Sequence, residues 1–254
     1  MITIKSTKEL DLMRHAGKIV AGVLEEIARV IKPGMATLEL DSLAHRYIKN
    51  AGAEPAFLGY HGFPASICCS VNEEVVHGIP GLRRLKEKDL VSIDVGVNYQ
   101  GYYGDAAVTF PVGDIDAQSR RLINVTKESL RQAVLITKEG NYLSDISHTV
   151  QKYVENQGFS VVRNFVGHGI GNSMHEEPQV PNFGPPGRGP RLSSGMVLAI
   201  EPMVNMGGWE VQTLEDSWTV VTMDRSLSAH FEHTVAIANG MPEVLTSFTP
   251  EKFK

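Results

Sequence analysis

The feature that most constrains the fold is an internal repeat at an offset of 106 residues. Residues 31–52 align without a gap on residues 137–158. The identical pairs are Lys32/Lys138, Gly34/Gly140, Tyr47/Tyr153, Asn50/Asn156 and Gly52/Gly158. Such identities are weak alone, because helix-ending glycines and core positions recur for structural reasons.

The order of the motifs that follow strengthens the repeat. Each half continues with a His-Gly-Ile triplet, an apolar strand that ends in an acid, and a second strand acid. These are 77–79, Asp94 and Asp105 in the first half, and 168–170, Glu201 and Glu232 in the second. We therefore predict two related α+β halves, about 6–112 and 116–240, that share one sheet and bring acids from both halves to a pseudo-twofold axis.

Helix signals recur in both halves. Ser6 and Glu9 have capping-box spacing, and apolar residues then recur every three or four positions up to Pro33-Gly34. A second helix is predicted from about Thr37 to Gly52. In the second half the pattern predicts a long amphipathic helix near 116–137 and another that ends at Gly158.

The acids Asp94 and Asp105 flank turn residues and predict a β-hairpin. If the turn centres between Tyr99 and Gln100, the two carboxylates face each other with Cβ atoms roughly 4.5–5.5 Å apart. Like charges so placed repel, and a cation between them would remove the repulsion. A β-bulge would break this register.

Bulk properties exclude several classes of protein. A chain of 254 residues can form one large domain or two small ones, and its net charge of −5 argues against a duplex nucleic-acid binder with a broad basic face. There is neither an apolar run of about 18 residues, as a membrane span needs, nor a secretory signal pattern. The only cysteines, Cys68 and Cys69, are adjacent and unsuited to bridging, which predicts a reducing, cytoplasmic location.

The ordered set Asp94, Asp105, His168, Glu201 and Glu232 resembles the metal site of type I methionine aminopeptidases. The segments around the set resemble that family as well: H-G-I-P at 77–80, G-H-G-I-G at 167–171, H-E-E-P at 175–178 and I-E-P-M at 200–203. The resemblance covers about residues 5–245. It implies the pita-bread fold, with two pseudo-symmetric halves sharing a curved antiparallel sheet and flanking helices, in a single catalytic domain over 1–254.

The resemblance also implies a cofactor and catalytic roles. Four carboxylates and one imidazole suit Mn²⁺, Fe²⁺, Co²⁺ or Zn²⁺. Two such ions roughly 3.5–4 Å apart could share an acidified water that attacks a peptide carbonyl. By resemblance Asp105 and Glu232 bridge the ions, Asp94 chelates one, and His168 and Glu201 hold the other. Glu201 also takes the proton of the water, His175 bonds the oxyanion, and His77 contacts the substrate amide nitrogen. A monovalent cation near Asn72 and Ser228 is a further expectation.

By the same resemblance, Tyr60, His61, Phe63, Cys68 and Trp218 line a pocket for the methionine side chain, a type of contact that sulfur makes well with aromatic rings. The alternative is that Phe63 and Trp218 pack an ordinary core. Two positions depart from the family pattern, Met174, where Phe is common, and His230, where Gln is common. Met174 is nevertheless expected at the edge of the pocket.

The predicted function is removal of the initiator methionine from nascent proteins whose second residue is small. The expected partners are nascent N-termini and a transient ribosome contact, with no nucleic-acid specificity, no membrane and a monomeric state. One alternative is a prolidase or Xaa-Pro aminopeptidase, which would carry an N-terminal domain for which no sequence is expected here. Another is a non-catalytic binding module of the same fold, which would have lost ligands.

Overall fold

The computed structural model describes residues 1–248, so the last six residues of the predicted 1–254 domain lie outside the described residues. Four α-helices occur in the described part: α1 Thr7–Val30, α2 Thr37–Asn50, α3 Ala117–Ile136 and α4 Leu143–Asn156. This confirms the four predicted helices. Ser6 and Glu9 form the predicted capping box at the start of α1, and Asp116 caps α3 through a bond from the Ser119 amide.

Strands are short except for one long hairpin. They are β1 Glu54–Pro55, β2 Cys68–Val71, β3 Glu74–Val76, β4 Leu90–Tyr99, β5 Tyr102–Pro111, β6 Ser160–Val161, β7 Gly167–Gly169, β8 Glu176–Val180, β9 Val197–Ile200, β10 Met203–Asn205, β11 Val211–Thr213, β12 Val220–Thr222, β13 Ser228–His230, β14 His233–Ala238 and β15 Met241–Val244. Every strand pair is antiparallel. Mixed helices and antiparallel strands confirm the α+β class.

In the part of the chain that the structure describes, the strands pair into four groups. The largest has the order β15-β14-β9-β7-β8, and a second has β1-β4-β2 with β5 on β4; β13-β10-β6 and β11-β12-β3 complete the set. The two larger groups are joined where β5 passes the start of β14. There the Glu232 amide donates to the Ala107 carbonyl at 2.9 Å, and the Ala107 amide donates back at 3.4 Å. The first and second halves of the chain therefore meet at this bond pair.

The internal repeat is visible in the backbone. Helices α2 (Thr37–Asn50) and α4 (Leu143–Asn156) begin and end at positions 106 residues apart, the offset of the sequence repeat. Gly52 and Gly158 end them with φ of 72° and 79°, the left-handed conformation that glycine adopts without a steric cost. Isolated bridges tie Ala36 to Arg84 and Tyr142 to Arg191 at matching places. No helix among the described residues is both long and apolar enough to cross a membrane.

Candidate metal centre

The hairpin of β4 and β5 carries Asp94 and Asp105, but its register differs from the prediction. Asp94 pairs with Ala107, and Asp105 pairs with Gly96, so the two acids are diagonal neighbours and do not face each other directly. The turn consists of Gln100 and Gly101, one residue further along than expected. Both have positive φ, 51° and 86°, as a two-residue type I′ turn requires, and Gly101 favours this placement.

The shift of register preserves the side of the sheet on which the acids lie. Asp105 is two residues from Ala107, the partner of Asp94, and residues two apart on a strand share a face. Diagonal neighbours on a face remain within reach of each other. The two carboxyl groups are close enough to be joined by a hydrogen bond. The predicted proximity of the two acids therefore survives a wrong register.

The other three candidate ligands come from neighbouring strands of the five-stranded group. His168 lies on β7 and pairs with Ala199 of β9, Glu201 directly follows β9, and Glu232 directly precedes β14. Because β9 lies between β7 and β14, the three side chains meet at one end of the group. The first and second halves then join at the Ala107–Glu232 bonds described above. Asp105 is also fixed across this junction, where its amide donates to Thr234 Oγ1 at 2.9 Å.

The five predicted ligands converge in space. Single ligand atoms of Asp105, His168 and Glu232 lie within 4.8 Å of one another. The His168 Nε2 atom is 4.0 Å from Asp105 Oδ2 and 3.7 Å from Glu201 Oε1. His168 Nδ1 is 2.8 Å from the Gly169 carbonyl oxygen, to which an N–H at that atom donates. That bond leaves the Nε2 lone pair directed at the acids, which is the usual arrangement of a metal-binding histidine.

Burial makes these groups costly unless a cation joins them. Asp94 Oδ1, Asp105 Oδ1 and Glu232 Oε1 are buried and have no hydrogen-bond partner among residues 1–248. Burial raises the pKa of Asp94 to about 7. Burial, followed by the charges of neighbouring carboxylates, raises the pKa of Asp105, Glu201 and Glu232 well above the usual range. Burial likewise lowers the pKa of His168 to about 4, so its imidazole is neutral.

The donor set fits hard divalent cations. Carboxylate oxygens and a neutral imidazole are the ligands that Mn²⁺, Fe²⁺, Co²⁺ and Zn²⁺ accept, and three of the oxygens lack any hydrogen-bond partner within residues 1–248. A cation would supply the missing partner and remove the repulsion among four buried carboxyl groups. The candidate site therefore has the donor set to hold a divalent metal ion.

The glycines beside His168 serve the packing of strands. A Cβ at Gly167 would lie 2.3 Å from the Ala199 carbonyl oxygen, and one at Gly169 would lie 2.2 Å from that of Glu177. These glycines therefore let β8 and β9 approach β7 closely. Close packing on both sides fixes the backbone of His168.

A cavity of about 170 Å³ opens onto the acids. Its lining includes seven of the eight predicted substrate-contacting residues: Tyr60, His61, Phe63, Cys68, His77, His175 and Trp218. The eighth, Met174, is not among the lining residues but is buried in the apolar cluster behind them, with Phe57, Phe63 and Cys68. Phe63 and Trp218 meet edge to face with ring centroids 5.1 Å apart.

Two histidines line the same cavity as the acids. His175 lies beside His168, with ring centroids 4.3 Å apart, and its Nδ1 atom is 2.7 Å from the Tyr60 hydroxyl. His77 packs edge-on against Phe165 at 5.6 Å. Burial lowers the pKa of His77 to about 4 and lowers that of His175 as well. Both rings are thus uncharged at neutral pH and can donate or accept a hydrogen bond.

Sequence reasoning missed two residues of this site. Phe57 lines the cavity, although nothing in its local sequence separates it from a core phenylalanine. His230 was noted only as a departure from the family pattern, yet its buried Nε2 atom lies 3.9 Å from Glu201 Oε2. Its separation of two residues from Glu232, on the same side of an extended segment, was the available signal.

Comparisons with known proteins agree with this geometry. The sequence profile of metallopeptidase family M24 matches residues 11–239. Methionine aminopeptidase 1 of Bacillus subtilis (strain 168) is 56% identical over 246 residues, which cover 97% of this chain and 99% of the relative. The crystal structure of methionine aminopeptidase from Thermotoga maritima superposes with a TM-score of 0.96 at 49% identity, covering 97% of this chain and all of that one.

A prolidase from Pyrococcus horikoshii OT3 is more distant. Its TM-score is 0.80 at 24% identity, and the match covers 98% of this chain but 64% of the prolidase chain. That likeness shows a shared fold and no more.

Proposed function

The chain belongs to metallopeptidase family M24, among its methionine aminopeptidases, and on that premise we propose how its site removes an N-terminal methionine by metal-dependent hydrolysis. The observation that carries the proposal is the convergence of buried, unpartnered carboxylate oxygens at the end of a small apolar cavity. The chemistry needs a charged centre beside a pocket for one side chain, and both are present in the described residues.

In the proposed site, Asp94, Asp105, His168, Glu201 and Glu232 hold two divalent ions, drawn from Mn²⁺, Fe²⁺, Co²⁺ and Zn²⁺. When bound, such ions polarise the substrate carbonyl and lower the pKa of a water molecule. A monovalent cation near Asn72 and Ser228 is part of the same proposal. The backbone there is ordered by a bond of 2.9 Å from the Ser228 amide to the Asn72 carbonyl.

Three side chains of the site act on the water and the substrate, each in a different role. As in the family that the chain belongs to, Glu201 accepts a proton from the attacking water, and its Oε1 lies 3.7 Å from His168 Nε2 beside the other candidate ligands. His175 donates to the carbonyl oxygen as it gains charge. Its Nδ1 atom is occupied by the Tyr60 hydroxyl, which leaves Nε2 for the substrate. His77 contacts the amide nitrogen on the leaving side.

The cavity selects the side chain. Phe63, Trp218 and Phe57 give it aromatic walls, and Cys68 closes it near Asp94, its partner across the β2–β4 ladder. A thioether packs favourably against ring edges, and a volume of about 170 Å³ limits the occupant to one side chain. An N-terminal residue can thus enter with its α-amine among the acids, which makes the reaction that of an exopeptidase.

The proposed substrates are the N-termini of nascent polypeptides with a small second residue, met during transient contact with the ribosome by a monomeric enzyme. A cytoplasmic reaction suits the cysteines, since Cys68 and Cys69 are both free and buried.

The direct experiment compares methionine release from Met-Ala-Ser by the wild type, Asp105→Ala and Glu201→Ala. Loss of a proton-accepting or metal-holding group is expected to lower kcat by about 10²–10⁴-fold. Glu215→Ala, which alters an exposed acid, serves as the control and should keep the wild-type rate. An unchanged rate in both site variants would refute the assignment.

A further inference from the structure

A buried imidazole beside the proposed ligands has an unused nitrogen. His230 lies on β13 and is 2% exposed, and its Nε2 atom has no hydrogen-bond partner among residues 1–248. Leaving a buried polar group unpaired costs about 1–3 kcal/mol. A nitrogen kept at that cost next to a metal centre is a candidate for a role there.

An acidic group close to this nitrogen is Glu201. His230 Nε2 is 3.9 Å from Glu201 Oε2, while the other oxygen of the same carboxylate, Oε1, is 3.7 Å from His168 Nε2. The two oxygens of Glu201 thus face two different imidazoles. One oxygen can face the metal with His168 while the other accepts a hydrogen bond from His230.

The position of the His230 ring is set by its backbone. The Thr109 hydroxyl accepts from the His230 amide at 2.8 Å and lies 2.9 Å from the His230 carbonyl oxygen. His230 also pairs with Met203 across the β10–β13 ladder. These contacts use main-chain atoms of His230, so a change of its side chain leaves them in place.

Resting on the proposed function, we propose that His230 donates a hydrogen bond from Nε2 to Glu201 Oε2 and so orients this carboxylate for metal binding. His230 is a positioning residue, because it acts through Glu201. A side-chain rotation that shortens 3.9 Å by less than 1 Å completes the bond. Hydrogen bonds to ligating carboxylates typically change metal affinity or activity by about 10–100-fold.

The test measures Mn²⁺ binding to metal-stripped protein by titration calorimetry. His230→Gln keeps an N–H donor of similar reach, whereas His230→Leu has none and His230→Asn is too short. We expect His230→Gln to bind Mn²⁺ within about 3-fold of the wild type, and the other two variants to bind at the Glu201 position about 10–100-fold more weakly. His233→Leu is the matched control, since His233 directly follows Glu232 but its Nδ1 atom lies 3.0 Å from Thr246 Oγ1. It should bind as the wild type does.

The possible results distinguish the role of His230 from the proposed function of the whole site. Unchanged Mn²⁺ affinity in both His230→Leu and His230→Asn would overturn the role of His230 while leaving the metal site intact. Weak binding by His230→Gln as well would overturn hydrogen bonding in favour of direct ligation by the imidazole. No Mn²⁺ binding by the wild type would instead refute the proposed function. At saturating Mn²⁺, we expect His230→Leu to lower kcat with KM unchanged, and His230→Gln to restore kcat.

Discussion

At the scale of single residues, the site stores protons that a metal must displace. Burial raises the pKa of Asp94 to about 7 and raises those of Asp105, Glu201 and Glu232 well above their ordinary values. In the metal-free protein these carboxyl groups therefore hold protons near neutral pH. Cations bind the deprotonated groups, so binding must release protons.

We predict that Mn²⁺ affinity falls as the pH is lowered from 8 to 6, and that protons are released on binding at pH 7. Titration calorimetry in two buffers of different ionisation enthalpy counts the released protons. An observed heat that is independent of the buffer would show that the carboxyl groups are already ionised, contrary to the predicted burial effect.

A second prediction concerns the Tyr60–His175 bond of 2.7 Å. Tyr60→Phe keeps the ring but removes the hydroxyl that fixes the orientation of His175. We expect kcat for Met-Ala-Ser to fall about 10-fold, at the low end of the effect of hydrogen bonds that support an active site, with little change in KM. Tyr153→Phe, on α4, is the control. An equal loss in both variants would contradict a specific role.

The sequence predicted the residues of the site where their local context was unusual. Acids that directly follow apolar runs in the sequence, such as Asp94 and Glu201, stand out because burial of charge is costly. Phe57 and the use of His230 could not be read in this way, because their roles depend on which distant strands lie beside them.

At the scale of elements, β7 carries His168 and lies between β8 and β9. Strand β8 leaves no space for a side chain at Gly169. A Cβ at Gly169 would lie 2.2 Å from the Glu177 carbonyl oxygen. We predict that Gly169→Ala lowers the free energy of unfolding by about 1–3 kcal/mol, the usual cost of overpacking, and weakens metal binding. Gly81→Ala is the control, since none of the described residues has an atom within 4 Å of the added Cβ. Equal melting temperatures for the two variants would contradict this account.

The β4–β5 hairpin shows how far element prediction reaches. Turn residues correctly indicated a hairpin, but the centre of its turn was wrong by one residue because the demand for positive φ at both Gln100 and Gly101 was not applied. The error moved the partner of Asp94 by two positions, from Asp105 to Ala107. Since side chains alternate with a period of two, the acids stayed on one face.

At the scale of the whole molecule, the buried acids of the proposed metal site lower the stability of the metal-free protein when they ionise. The folded-state pKa of Asp94, about 7, lies above the value of an unfolded aspartate, so the folded protein binds this proton more tightly. Its contribution to stability is present at low pH and is lost as the pH rises toward 7. At pH 8, ionised Asp94 is thus predicted to lower the free energy of unfolding of the metal-free protein.

Asp94→Asn removes that loss of stability. We predict that the metal-free variant is more stable than the metal-free wild type at pH 8 by about 1–3 kcal/mol, with a smaller difference at pH 5. Urea unfolding at both pH values measures the difference, and the buried histidines cancel because they are common to both proteins. With Mn²⁺ the order should reverse. A variant that is less stable in metal-free form at pH 8 would refute this effect of Asp94.

The overall architecture was the most predictable level. Helices α2 and α4 keep the 106-residue offset exactly, because capping, apolar spacing and the terminal glycines are local signals repeated in each half. The division of the strands into four groups was not predictable, since short strands such as β6 and β13 carry little local signal.

The most direct test of the central claim is methionine release from Met-Ala-Ser by metal-stripped protein, with and without Mn²⁺, beside Ala-Pro-Ala. We predict cleavage of the methionine peptide only, and only with Mn²⁺. Cleavage of Ala-Pro-Ala alone, or of neither peptide in the presence of Mn²⁺, would contradict the account.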